Sequence, residues 1–286
     1  MEADKEQRLK EIGEDALIQR ITGVLKGGED VLTGPGDDCA VVRIPGADEL
    51  QLLKTDCLIE TVHFRPEDDP AQVGWKAMAR NVSDIAAMGG SPRHALITLV
   101  VPADRKVRWV EEVYGGLQKC AETYGFSIVG GETSQSPRDA PLTLISVSLT
   151  GAMAEGAQPV LRAGARVGGL IFVTGRLGGS FPSERHLGFS PRVKEGQWLA
   201  RVGGVTAMMD LSDGLGQDLP RLARASGAGF QIEQDALPLH EGVTRKNGIS
   251  DGEDYELLMT ISPGDVANVL EKWAVEFPDL ELTRIG

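Results

Sequence analysis

The sequence predicts an α+β protein built as two domains, and three observations carry that expectation. Apolar runs of strand character and runs of helical period are intermixed along both halves, too irregularly for a plain alternating parallel sheet. A length of 286 residues suits one large domain or two of ordinary size. Glycine and alanine dominate residues 151–169, which places a boundary between an N-terminal domain, 1–150, and a C-terminal one, 151–286.

In the first half, Leu9, Ile12, Leu17, Ile21 and Leu25 are roughly in helical period and predict a helix over 9–26, ended by Gly27-Gly28. Gly34-Pro35-Gly36-Asp37-Asp38 turns into a strand at 40–42. A second strand, 50–54, runs into Thr55-Asp56, and the loop beyond it carries His63. Trp75, Met78, Val82, Ile85 and Ala86 then form one apolar stripe of a helix, while Asn81 and Asp84, three apart, share another face. Gly89-Gly90 stop that helix and Pro92 keeps it from resuming. A strand at 95–101, a helix at 106–124 bearing Tyr114, a short strand at 127–129 ending in Gly130-Gly131-Glu132, and a half-buried strand at 142–149 complete the half.

The second half starts after the turn-like segment that holds Arg162. It reads as a strand at 170–173, then Asp210-Leu211-Ser212-Asp213-Gly214 leading from a short apolar run into a helix at 215–225. A strand at 230–232 follows, and the acidic turn Gly252-Glu253-Asp254-Tyr255-Glu256 opens a last apolar strand.

Composition narrows the functional classes. Hydrophobic and charged contents of 41% and 25% are those of a soluble globular protein, and no apolar run approaches the ~20 residues needed to span a bilayer. The charged stretch Met1–Glu14 lacks the apolar centre of a signal peptide, which predicts a cytoplasmic protein. Cys39, Cys57 and Cys120, odd in number with no close pair, argue against a disulfide framework or a zinc site. A net charge of −13 without a basic stripe argues against nucleic acid as a partner. It leaves room for a phosphorylated small molecule held through divalent cations. No Gly-Lys dipeptide occurs, so there is no Walker-type phosphate loop. Gly34-Pro35-Gly36 lacks the third glycine of a dinucleotide fingerprint and precedes a strand. The four histidines lack metalloprotease spacing, and Ser212 has no flanking glycines.

What recurs is acid at the ends of short apolar runs: Asp37/Asp38, Asp56, Glu132, Asp210 and Asp213, with Asp84 on its helix. Ends of neighbouring elements converge in space, and hard carboxylate oxygens suit Mg²⁺, several of which clamp a triphosphate during in-line transfer. The same residues serve equally well as turn formers and helix caps, and spacing alone does not choose between the two.

Read together, Gly36-Asp37-Asp38-Cys39-Ala40, Thr55-Asp56, His63-Phe64, Asn81-Val82-Ser83-Asp84-Ile85-Ala86-Ala87-Met88-Gly89, Gly130-Gly131-Glu132-Thr133, Asp210 to Leu215 and Gly252 to Leu257 resemble the thiamine-monophosphate kinases. These belong to the aminoimidazole-ribonucleotide-synthetase-like superfamily, and the resemblance runs from about residue 13 to the end. It implies a two-domain PurM/AIR-synthetase-like fold, with an N-terminal domain that gives strands to a barrel shared in a homodimer and a C-terminal α/β domain. It also implies ATP near the dimer interface and Mg²⁺-dependent transfer of its γ-phosphoryl group to thiamine monophosphate. On the matching positions, Asp38, Thr55, Asp56, Asp84, Glu132, Asp210 and Asp213 would hold several metal ions, with Asp56, Asp84 and Asp213 central to catalysis. Tyr114, Gly131, Glu132, Arg162 and Ser212 would contact ATP, and His63 and Glu253 the thiamine phosphate. No general base is needed, because the acceptor is already an anionic phosphate oxygen; positioning and cation charge would carry the reaction.

The sequence departs from the family pattern at four places. Lys54 stands where a small hydroxyl residue is usual, so its ammonium either replaces a cation or points away. Glu132 replaces the usual Asp, which moves its carboxylate by one methylene. Between Gly175 and Pro191 a helix of some twenty residues is expected to be missing, and after Gly286 a segment with an aromatic against the thiamine. These departures leave two other readings open: a weak or inactive nucleotide-binding relative, and a kinase of the same fold with another phosphorylated acceptor.

Overall fold

The computed structural model describes residues 8–286, so the part of the N-terminal reading that concerns residues 1–7 lies outside the described residues. The helix expected over 9–26 is two: α1 (Leu9–Ile12) and α2 (Glu14–Thr22). Gly13 parts them at φ 76°, a left-handed value that costs a residue without Cβ little. Then come β1 (Val31–Thr33), β2 (Ala40–Arg43), β3 (Leu50–Ile59), α3 (Pro70–Ala87), β4 (Ser91–Val101), α4 (Val107–Tyr124), β5 (Ser127–Gln135) and β6 (Leu144–Ala152). Their strands form one six-stranded sheet in the order β1-β2-β3-β6-β4-β5, antiparallel except for β4 beside β5.

The chain continues through β7 (Leu170–Thr174), α5 (Arg185–Gly188), α6 (Val193–Val202), β8 (Val205–Asp210), α7 (Leu215–Ala225), α8 (Arg245–Ser250), β9 (Leu257–Ile261), α9 (Val266–Glu276) and β10 (Leu282–Arg284). A four-stranded antiparallel sheet results, in the order β10-β7-β9-β8. The mixed α+β architecture in two sheets is the one the sequence predicts. The strand expected at 230–232 is absent; nearby, Glu233 N makes a single bond to Ile285 O at 2.7 Å, and no ladder forms.

Two strands outrun their local signals. β3 pairs with β6 from Gln51 to Ile59, and β5 follows β4 as far as Gln135. Asp56 and Glu132 therefore lie inside strands, not at their ends, because long-range pairing overrides the turn character of Thr55-Asp56 and Gly130-Gly131. At Gly131 a Cβ would collide with the carbonyl of Ile97 on β4, so the glycine serves close strand approach there instead of a turn.

Helix α3 starts five residues earlier than its apolar stripe suggests. Asp69 caps it by accepting from Gln72 N at 3.0 Å, and Pro70 takes the first helical position, where a missing N–H costs nothing. The helix is buried almost all round: Val73, Met78, Val82 and Ile85, but also Lys76, Asn81, Ser83 and Asp84. On one side it packs with α4 on the six-stranded sheet, against Leu52, Leu58, Ile97 and Val147; on the other it meets α5, α6 and β8. Strand alternation turns Leu52, Lys54, Asp56 and Leu58 of β3 to the helix side and Leu53, Thr55 and Cys57 to the opposite, open face.

Candidate active site

Asp38 ends the glycine turn before β2, Asp84 sits near the C-terminal end of α3, and Asp210 closes β8. All three are buried, and one carboxylate oxygen of each lies within 4.8 Å of the others. Burial and mutual repulsion make this arrangement costly for three free anions. Burial pushes the Asp84 carboxyl well above the ordinary range, with Lys54 opposing and Asp210 and Asp38 adding to the rise. Burial and then Asp38 push Asp210 up to about 6.

Each acid has one fixed partner. Lys54 Nζ donates to Asp84 Oδ1 at 2.7 Å, and Ser83 Oγ donates to Asp210 Oδ2 at 2.6 Å. The Arg162 guanidinium pairs with Asp38 Oδ1, its Nε at 3.2 Å. Lys54 holds its proton more tightly than an ordinary lysine; burial works against this and Asp84 outweighs it. Asp38 Oδ2, by contrast, is buried and has no partner among the described residues. An orphaned carboxylate oxygen beside two further hard-oxygen donors fits a divalent cation such as Mg²⁺. Asp37 is the turn former of the pair: its carboxylate accepts from Arg162 N and Asp38 N, each at 3.0 Å.

A cavity of about 710 Å³ opens over the cluster, bordered by Asp56, His63, Arg80, Arg162, Ser212 and Asp213. Asp56 is held by Arg80 at 3.0 Å and by Cys57 N at 2.7 Å. Asp213, at the entry to α7, is half exposed and paired with Arg221. Ser212 contributes its carbonyl to Glu253 N at 2.8 Å. Thr55 borders the cavity, but its hydroxyl is engaged by Val147 O at 3.2 Å and Ser148 Oγ at 3.3 Å. His63 accepts from Ile59 N through Nδ1 at 3.0 Å, and its proton affinity is lowered by burial and then by Arg80. Its carbonyl takes the fully buried Lys76 ammonium at 2.7 Å, and the same ammonium pairs with Glu253. Glu253 and Tyr255 both adopt positive φ, 64° and 52°, so the acidic turn before β9 is a strained segment of the kind that clusters at functional sites.

Tyr114, Gly131 and Glu132 form a separate group. Asp56, Val147, Ile97 and Gly131 stand in one row across the sheet, so Gly131 lies three strand spacings from Asp56, roughly 14 Å. Glu132 is exposed on edge strand β5 and accepts from Ser134 Oγ at 2.8 Å. Tyr114 of α4 reaches the same strand through a hydrogen bond with Thr133.

Four residues here escape sequence reasoning: Lys76, Arg80, Ser83 and Arg192, which clamps Glu256. Two cations four residues apart on an otherwise apolar helix were the available signal for Lys76 and Arg80, since such charges are buried only with partners. The stretch after Gly175 closes directly on the acidic turn: Gly178 N and Ser180 Oγ donate to Asp254 at 2.9 and 2.8 Å, and Gly179 N to Asp251 at 2.9 Å.

Two family models match the chain: AIR synthase related protein, N-terminal domain, over residues 36–153, and its C-terminal domain over 186–279. The thiamine-monophosphate kinase of Rhodopirellula baltica is 38% identical over 292 residues, covering 96% of this chain and 88% of that one. That of Aquifex aeolicus is 36% identical, covering 98% and 92%. A solved structure described as AaThiL complexed with AMPPCP and TMP superposes with a TM-score of 0.83 at 36% identity, covering 98% of this chain and 92% of the other.

Proposed function

The chain belongs to the thiamine-monophosphate kinase family of AIR synthase related proteins, and from that premise we propose that it transfers the γ-phosphoryl group of ATP to thiamine monophosphate, giving thiamine diphosphate and ADP. The observation that carries the reading is the convergence of Asp38, Asp84 and Asp210 around an unpartnered Asp38 oxygen. Asp38, Asp84 and Asp210 are the residues that would hold Mg²⁺, with Asp56 and Asp213 at the cavity wall as further ligands. Bound there, the metal would neutralise the triphosphate charge that develops during in-line transfer.

The protein's own groups orient the reactants. Arg162 fixes Asp38, Ser83 fixes Asp210 and Arg80 fixes Asp56, so the carboxylates are set before any ligand arrives. His63 and Glu253, tied together by Lys76, face the acceptor phosphate, while Ser212 and Arg162 face ATP. Tyr114, Gly131 and Glu132 line the more distant group on β5, and their placement supports nucleotide reaching the β5 edge of the sheet. Leu53 and Leu96 are 39% and 51% exposed on the open sheet face, which supports a homodimer formed through it. A reducing cytoplasm with ATP and Mg²⁺ suits a chain whose three cysteines are all free. A division near 150/151, with β6 carried on to Ala152, would put the orphaned Asp38 in one domain and Asp210 in the other.

The test is ADP release from ATP and Mg²⁺ with and without thiamine monophosphate, alongside Asp84→Ala. Stimulation by thiamine monophosphate that falls by roughly 10²-fold or more in the variant is expected, as for loss of one electrostatic anchor of a transition state. Nucleotide binding without stimulated turnover would overturn the reading.

A further inference from the structure

The three buried carboxylates are not equivalent in what they leave free. Asp38 Oδ1 is taken by Arg162 and Asp210 Oδ2 by Ser83, while Asp38 Oδ2 has no partner among the described residues. Asp84 Oδ1 is already held by a cation, the Lys54 ammonium at 2.7 Å. That side chain is only 20% exposed, and Asp84's is 10% exposed. Its backbone is fixed in mid-sheet, with Leu53 opposite Ala40 and Lys54 opposite Leu149, and alternation commits it to the helix side where Asp84 waits. Swinging the ammonium away would leave Asp84 facing Asp38 and Asp210 within 4.8 Å with its counter-charge gone.

We infer that Lys54 is a built-in cation of the nucleotide site: its ammonium permanently fills one cation place on Asp84, so this chain recruits one divalent ion fewer than the same cluster would without it. An ammonium is a point charge with three donors, one spent on Asp84, and Lys54 also borders the cavity. The remaining N–H groups therefore face the space a polyphosphate would fill, where they donate to a phosphate oxygen and oppose its charge without having to be recruited from solution. Lys54 thus acts as a positioning residue for Asp84 and a contact for the polyphosphate. The inference rests on the reading of this cluster as the divalent-cation site of a kinase.

The experiment counts Mn²⁺ bound per chain at saturation, by the paramagnetic resonance of free Mn²⁺, with a non-hydrolysable ATP analogue present, for the wild type, Lys54→Ser and Lys54→Met. The expected result is one more Mn²⁺ per chain in Lys54→Ser than in the wild type. Equal, non-zero counts overturn the inference alone. Absence of bound Mn²⁺ in the wild type overturns it together with the kinase reading beneath it. Because a variant can fail to fold, the wild type is also crystallised with Mn²⁺ and the analogue and its anomalous scattering mapped. Lys54 Nζ still on Asp84 Oδ1, with manganese only on other oxygens, is expected; manganese on that oxygen with Lys54 displaced overturns the inference.

Discussion

Asp218 of α7 lies directly behind the acidic cluster, its side chain fully buried, its carboxylate accepting from Asp213 N at 2.9 Å and Arg221 at 3.0 Å. Burial, then Asp210 and Asp213, push its carboxyl up to about 7. A carboxyl raised in the fold binds its proton more tightly there than in the unfolded chain, so its contribution to stability is greatest at low pH. That contribution is lost as pH climbs from about 4, the ordinary value, through about 7. Asp218→Asn should therefore stabilise the metal-free protein more at pH 8 than at pH 5, by on the order of 2–4 kcal/mol of unfolding free energy at the higher pH, as read by denaturant unfolding. A gain equal at both pH values would remove the titration argument. At this scale the sequence is partly readable. Asp84 and Asp210 are recognisable from their motif blocks, yet Asp218 looks like an ordinary first-turn acid of a helix, because nothing local tells that α7 stands on a buried cluster.

Between elements, α3 and α4 approach closely at two glycines. A Cβ on Gly74 would strike the carbonyl of Val113, and one on Gly116 the carbonyl of Ala71, so each helix carries a glycine where the other's backbone presses in. Gly115, next in sequence, faces open space. Gly116→Ala should cost roughly 3 kcal/mol or more by forcing the helices apart, while Gly115→Ala should stabilise by up to ~1 kcal/mol through helix propensity. Denaturant unfolding of the two variants measures both, and similar effects would refute the packing account. Helix periods and the Asp69-Pro70 cap are local and therefore legible. The true length of β3 and β5 is not, because it is set by partners 33 to 101 residues away.

For the whole molecule, the open face of the six-stranded sheet presents Leu53, Leu96 and Val129 to solvent in the single chain. Leu96→Lys would put a charge on that face, on the strand next to edge strand β5. Light scattering should then show a particle of twice the 30.6 kDa chain mass fall to the single value, with the fold retained. A dimer that survives the substitution must use another surface. The two-sheet plan was readable because motif blocks from both halves fix it jointly. The meeting of Asp38, Asp84 and Asp210 was readable only as a family property, since convergence across 172 residues of chain has no local signature.

Helix α3 also sets an order of events during synthesis. Its inner side is covered by β3, β4, β6 and α4, which leave the ribosome close to it in time. Its outer side waits for α5, α6 and β8, which begin at Arg185 and end at Asp210, about a hundred residues later. Until they arrive, the growing chain carries a folded sheet with the outer flank of α3 bare and Asp84 already paired with Lys54. The isolated N-terminal half should therefore expose that flank, and the cover is complete only once β9 has followed β8, since β9 holds β8 in its sheet.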